Sequence, residues 1–112
     1  MAKLERQLQG DFLGLLHLIE DGIMKGSISA SLEEQSNFQT DDVQVAVRVF
    51  ERYSFIGKNR VSLSVTLIWQ NDKLFVSGIT SGGSQAVFFK INTFGENAFL
   101  DRLGEVLDGY RR

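Results

Sequence analysis

The sequence predicts an α+β domain, with two amphipathic helices on one face of a curved antiparallel sheet of five to six strands. The predicted element order is β-α-β-β-β-β-β-α. Three observations lead there. Apolar residues recur at three-to-four spacing near the start of the chain and again at its end, as on one face of a helix. Between these stretches the apolar period falls to two, the period of a strand. Short turns separate the period-two segments, which makes successive strands antiparallel neighbours. Two helices and one meander of this kind settle into two layers.

Taken in order, residues 2–9 set Leu4 and Leu8 against Lys3, Glu5 and Gln7, a short first strand. Gly10 ends it. Asp11 can cap a helix by accepting from the free N–H groups of the first turn. Phe12, Leu15, Leu16, Ile19 and Ile23 follow as one apolar stripe, with Gly22 and Gly26 marking its end. Ile28, Ala30 and Leu32 against Ser29 and Ser31 predict a strand over 27–32, and Glu33 to Asp42 reads as a polar connection. Val43, Val45, Val47 and Val49 then point one way, and Gln44, Ala46 and Arg48 the other. After a turn at Gly57-Lys58-Asn59, Val61, Leu63, Val65, Leu67 and Trp69 repeat the pattern opposite Ser62, Ser64 and Thr66. Asn71-Asp72 is a second tight turn, of the kind that joins antiparallel strands. Residues 73–80 and 85–91 are two further strands around Ser81-Gly82-Gly83-Ser84. Thr93-Phe94-Gly95-Glu96 fits a capping box and starts a helix over 96–110. Its stripe is Phe99, Leu100, Leu103, Val106, Leu107 and Tyr110.

The chain has 112 residues, 43% hydrophobic and 23% charged. That is ordinary for one folded domain, here 1–112. Cysteine is absent, which excludes disulfides, thiolate metal sites and thiol nucleophiles. No apolar run reaches the length of a membrane span, and the opening Met1-Ala2-Lys3-Leu4-Glu5-Arg6 has no signal-peptide pattern. Together these features point to the cytoplasm. The formal charge is −2, with 12 basic and 14 acidic residues in no long block. Nucleic-acid binders carry a basic surplus that replaces counterions on phosphates, so nucleic acid is not an expected partner.

The element order is similar to helix-grip and TATA-binding-protein-like architectures, an analogy of topology alone. Three stretches carry a closer resemblance. They are Asp21-Gly22-Ile23-Met24-Lys25-Gly26-Ser27-Ile28-Ser29-Ala30-Ser31, Val47-Arg48-Val49-Phe50-Glu51-Arg52-Tyr53-Ser54, and the run from Ile79-Thr80-Ser81-Gly82-Gly83-Ser84 to Thr93-Phe94-Gly95-Glu96. In combination they resemble a family of short, uncharacterised proteins of Firmicutes bacteria, a domain of unknown function. The resemblance implies a bacterial cytosolic origin and no chemistry.

Candidate chemistry is sparse. His17 is the only histidine. A catalytic or metal-binding His needs an oriented partner, and Glu20 is the one nearby candidate, so His17 reads as a helix-surface residue. Ser81, Gly82, Gly83 and Ser84 could form an anion-binding nest. This loop joins strands, however, and lacks the Lys-Ser/Thr ending of a phosphate loop. Glu20-Asp21, Glu33-Glu34 and Asp41-Asp42 are neighbours in sequence, so each pair points in two directions. No catalytic residue, metal site or cofactor is expected.

The second face of the sheet says more. If the Val43/45/47/49 side, with Val61, Leu63, Val65, Leu67, Leu74, Val76, Val87, Phe89 and Ile91, lies under the helices, then Arg48, Arg52, Ser62, Ser64 and Thr66 face outward. Phe50, Ile68, Phe75, Ile79 and Phe88 join them there. An exposed patch of large apolar residues marks an interface. The expected function is a non-enzymatic module that self-associates, as a dimer, through this face. The alternative is a small-molecule site between sheet and C-terminal helix, lined by Trp69, Phe89, Phe99 and Tyr110.

Overall fold

Two helices lie on one face of a five-stranded antiparallel sheet in the computed structural model, which describes residues 1–54, 59–82 and 89–110. The elements are β1 (Ala2–Gln9), α1 (Phe12–Lys25), β2 (Ser31–Gln39), β3 (Val43–Ser54), β4 (Asn59–Gln70), β5 (Lys73–Gly82) and α2 (Phe89–Asp108). The strands lie in the order β1-β5-β4-β3-β2, so β1 and β2 are the edges. The predicted α+β class and the pair of helices on an antiparallel sheet hold.

Local chemistry explains the entry to α1. The Asp11 carboxylate accepts from the Gly14 N–H at 2.6 Å, as an N-cap does. Leu15, Leu16, Ile19 and Ile23 form the buried stripe, with Phe12 packed beside it. Asn71 and Asp72 turn the β4–β5 hairpin with φ of 53° and 63°, the left-handed pair that matches the twist of the flanking strands. Gly22 lies inside α1 and sets a close approach. A Cβ there would stand 2.4 Å from Val106 of α2, so only glycine admits α2 this near.

Four expectations need correction. The second strand runs over Ser31–Gln39, while Ser27–Ala30 is a turn. β2 is polar because it is an edge with little of its surface covered, so it needs no apolar face. Of the strand expected over 85–91, residues 85–88 lie outside the described residues, and Phe89–Ile91 belong to α2. For the same reason Thr93 is an interior helix position and not an N-cap. Glu96 accepts instead from the Gly82 N–H at 2.7 Å and meets the Met1 ammonium at 3.1 Å.

The fourth correction concerns β3. Ala46, Arg48 and Phe50 lie under the helices, while Val43, Val45, Val47 and Val49 lie on the open side. Register dictates it. Ala46 pairs with Leu67, Arg48 with Val65 and Phe50 with Leu63, and directly opposed residues share a face. The leucines and valines of β4 are buried, so their partners are buried too. Leu74 and Val76 continue this covered face on β5, as expected.

The core lies between the sheet and the helices. Phe99, Leu103 and Leu107 of α2 are at most 2% exposed, and each such burial stabilises by about 1.5–3 kcal/mol. A Cβ at Gly78 would stand 2.4 Å from Leu103, so β5 makes room for α2 at that point. Arg6 of β1 hydrogen-bonds Asp108 and ties the last turn of α2 to the sheet edge.

Candidate interaction face

The uncovered face of the sheet is a patterned surface. Register places Phe38, Val45, Ile68 and Phe75 in one row across β2, β3, β4 and β5, ending at Gln7 on β1. Val43, Val47 and Val49 flank this row along β3, and Ile79 lies opposite Ser64. Phe38 is 61% exposed and Ile79 43%. The other members are half-buried by their strand neighbours alone. β-branched and aromatic residues suit a pleated surface whether or not it is covered, so strand propensity accounts for part of this composition.

Hydroxyls interrupt the apolar rows. Ser62, Ser64 and Thr66 of β4 and Ser77 and Ser81 of β5 share this face. The Ser62 and Ser81 hydroxyls lie 2.8 Å apart. Charge gathers toward the rims. Lys3 meets Glu5 at 3.9 Å on the β1 edge, and Glu34 pairs with Val49 on the β2 edge. Arg60 bridges Glu51 at 2.9 Å near the far end of β3.

Of the residues expected at an interface, Ile68, Phe75 and Ile79 lie on this face. Phe50 does not: it is fully buried beneath the helices, on the face that β3 shares with Leu63. Phe88 lies outside the described residues. Of the suggested anion loop, Gly83 and Ser84 also lie outside them. Ser81 bonds Ser62, and the Gly82 N–H is already bonded to Glu96. Arg48 and Arg52 sit on the covered side. The Arg52 guanidinium stacks over Phe99 at 4.5 Å. Burial, then the neighbouring charge of Arg102, holds its pKa below the usual arginine value.

Of the aromatic residues expected to line a pocket under α2, the Phe89 side chain lies outside the described residues, and Trp69, Phe99 and Tyr110 pack with the core. Phe99 is fully buried in the core and Trp69 packs against it. The Tyr110 hydroxyl accepts from the Asp11 N–H at 2.7 Å and locks α2 to the start of α1. Two grooves lined by described residues lie away from α2. One, of about 810 Å³, is at the β4–β5 turn near Gln70, Asn71 and Lys73. Another, of about 580 Å³, runs between α1 and β2, with His17, Glu20 and Leu16 on one side and Asn37, Gln39 and Arg48 on the other.

Sequence reasoning missed that second groove, because Arg48 was placed on the wrong face. The one signal was an arginine, Arg48, set among the valines of β3. Its partner Glu20 is 28 residues away, bonded at 2.7 Å. Among the described residues, no group of three His, Asp or Glu is placed to hold a metal ion, and no helix is long and apolar enough to cross a membrane.

Comparison with known proteins adds a family without a function. The model of DUF6054, a family of unknown function, matches residues 1–111. No curated protein matches the chain. Among solved structures, the crystal structure of hypothetical protein jhp0584 from Helicobacter pylori is similar, at a TM-score of 0.42 and 13% identity, over 90% of this chain and 83% of that one.

Proposed function

We propose that this chain, which belongs to the DUF6054 family of unknown function, is a non-enzymatic module that self-associates through the open face of its sheet. The observation that carries this reading is the uncovered apolar row Phe38–Val45–Ile68–Phe75 and its flanking valines. A contiguous apolar patch of this kind on a monomer is an interaction site by default.

Area and charge favour a second copy as the occupant. Five strands about 4.8 Å apart and roughly ten residues long give a face on the order of 800 Å². A stable interface needs about 800 Å² per partner. The pattern is also self-complementary about a two-fold axis running along β4 in the plane between two stacked sheets. That rotation exchanges the edges. Ile68 then stands over its own copy, Phe75 over Val45 and Ile79 over Val49. Lys3 on the β1 edge stands over Glu34 on the β2 edge, opposite charges at the same height along the strands.

Sedimentation velocity or light scattering at micromolar concentration tests the reading. The expected result is a dimer for the natural chain and a folded monomer for Phe75→Asp. A natural chain that stays monomeric to the highest soluble concentration would overturn it.

A further inference from the structure

The groove between α1 and β2 is built on an ion pair, its arginine buried, with unused hydrogen-bonding capacity. Arg48 is 5% exposed. Its Nε donates to Glu20 Oε2 at 2.7 Å. Its Nη1 donates to Asn37 Oδ1 at 2.8 Å, to the Val47 carbonyl at 2.9 Å and to the Ser36 carbonyl at 3.3 Å. Among the described residues Nη2 has no hydrogen-bond partner, and it is not one of the buried atoms left without one, so it reaches solvent. A guanidinium carries five N–H donors, so the two on Nη2 remain for a ligand. The Glu20 side chain is 26% exposed, and its Oε1 accepts no hydrogen bond among the described residues.

Electrostatics narrows the ligand. Arg48 and Glu20 neutralise one another on the groove floor, the arginine buried and the carboxylate partly exposed. An entering anion meets the Glu20 carboxylate, and an entering cation meets Arg48, each without a counter-charge for its own desolvation. The site therefore selects against ions. Its remaining polar lining is His17 of α1 and the amide residues Asn37, Gln39 and Gln44, and Leu13 and Leu16 add apolar surface on the α1 side. What the ion pair does offer is a donor beside an acceptor.

We propose that this groove binds a small neutral ligand carrying a lactam edge, a ring carbonyl next to a ring N–H. The carbonyl accepts from Arg48 Nη2, and the ring N–H donates to Glu20 Oε1. The flat ring lies against Leu13 and Leu16, and the Gln39 and Gln44 amides meet its outer polar atoms. Oxo-pyrimidine and oxo-purine bases have this edge. Phe38 and Val45 of the open-face row also border the groove, but Arg48, Glu20, Leu13 and Leu16, which would hold the ligand, lie on the helix side and form no part of that row.

Ligand-observed NMR with uracil is the test, with 1,3-dimethyluracil as the control that keeps both carbonyls and loses both N–H groups. Saturation transfer to uracil is expected, with amide shifts at Asn37, Gln39 and Gln44 in the protein spectrum. The control should bind at least tenfold more weakly. Gln39→Trp, at the exposed end of β2, should fill the groove, weaken uracil at least tenfold and leave the melting temperature unchanged. No transfer from uracil near its solubility limit overturns the proposal. So does equal binding of 1,3-dimethyluracil, or undiminished uracil binding in folded Gln39→Trp.

Discussion

The two faces of this sheet are made by the same strands, and on β3 the more hydrophobic face is the one left open. The covered side of β3 carries Ala46, Arg48 and Phe50, and the open side carries four valines. What the covered side has is shape. Ala46 is small, Gly78 on β5 admits Leu103, and Phe50 fills the space beneath the helices with no exposed surface. The open side has regular β-branched residues and hydroxyls, a flatter surface with no helix fitted to it. Apolar content makes a strand face fit for burial, and complementary shape decides which face receives the helices.

The largest expected difference follows from that contrast. Phe50→Ala opens a cavity in a sealed core and should cost about 3–5 kcal/mol. Phe75→Ala on the open face removes a cross-strand neighbour of Ile68, a contribution of roughly 0.2–1 kcal/mol. Urea unfolding measures both, at protein concentrations low enough that association does not add to stability. Equal losses at the two positions would mean that the open face is packed as tightly as the core, and the contrast between the faces would fail.

The sequence made some of this legible and hid the rest for physical reasons. Asp11, the α1 stripe and the Asn71-Asp72 hairpin are local features, written in adjacent residues. The burial of β4 was readable because Ser62, Ser64 and Thr66 alternate there with leucines and valines, and Leu74 and Val76 extend that face onto β5. β3 was misread because each strand was judged by its own hydrophobicity. Its face is fixed by register against β4, and pairing Ala46 with Leu67 reverses the reading. β2 was missed over most of its length because an uncovered edge needs only main-chain partners, so its composition looks like a loop. The groove was invisible because Arg48 and Glu20 come together only when α1 is laid across the sheet.

An intermediate effect is expected at that ion pair, which holds an arginine of β3 to a carboxylate of α1 beneath the helices. Glu20→Gln keeps the size and one acceptor but leaves the Arg48 cation without its counter-charge. A hydrogen bond to a charged group contributes about 1.5–3 kcal/mol, and the loss should fall in that range. Arg52, on the same face, stacks on Phe99 beside Arg102, and Arg52→Met should change stability by only about 1 kcal/mol or less. Chemical denaturation of the two variants compares them directly. If Glu20→Gln costs no more than Arg52→Met, the pair is a surface contact and the groove has no electrostatic floor.

The smallest expected effect bears on how two open faces meet. An axis along β4 sets Lys3 of one copy over Glu34 of the other. An axis across the strands instead sets Lys3 over Gln7, because the row through Val47 becomes the centre and the rows on either side exchange. The two arrangements differ at the rim more than in the apolar centre, so a charge swap separates them. With the axis along β4, Lys3→Glu and Glu34→Lys each place like charges together and weaken the dimer. The double variant restores the opposite pairing and recovers the loss. Exposed pairs couple by about 0.2–1 kcal/mol, and a two-fold interface contains the contact twice. The dimer dissociation constant should therefore rise several-fold in each single variant and return close to the natural value in the double, most clearly at low salt, where screening is weak. Each monomer should unfold as the natural chain does, since Lys3 meets Glu5 only at 3.9 Å across an exposed edge. Additive losses in the double variant would reject the axis along β4. Self-association itself would stand as long as Phe75→Asp still separates the copies.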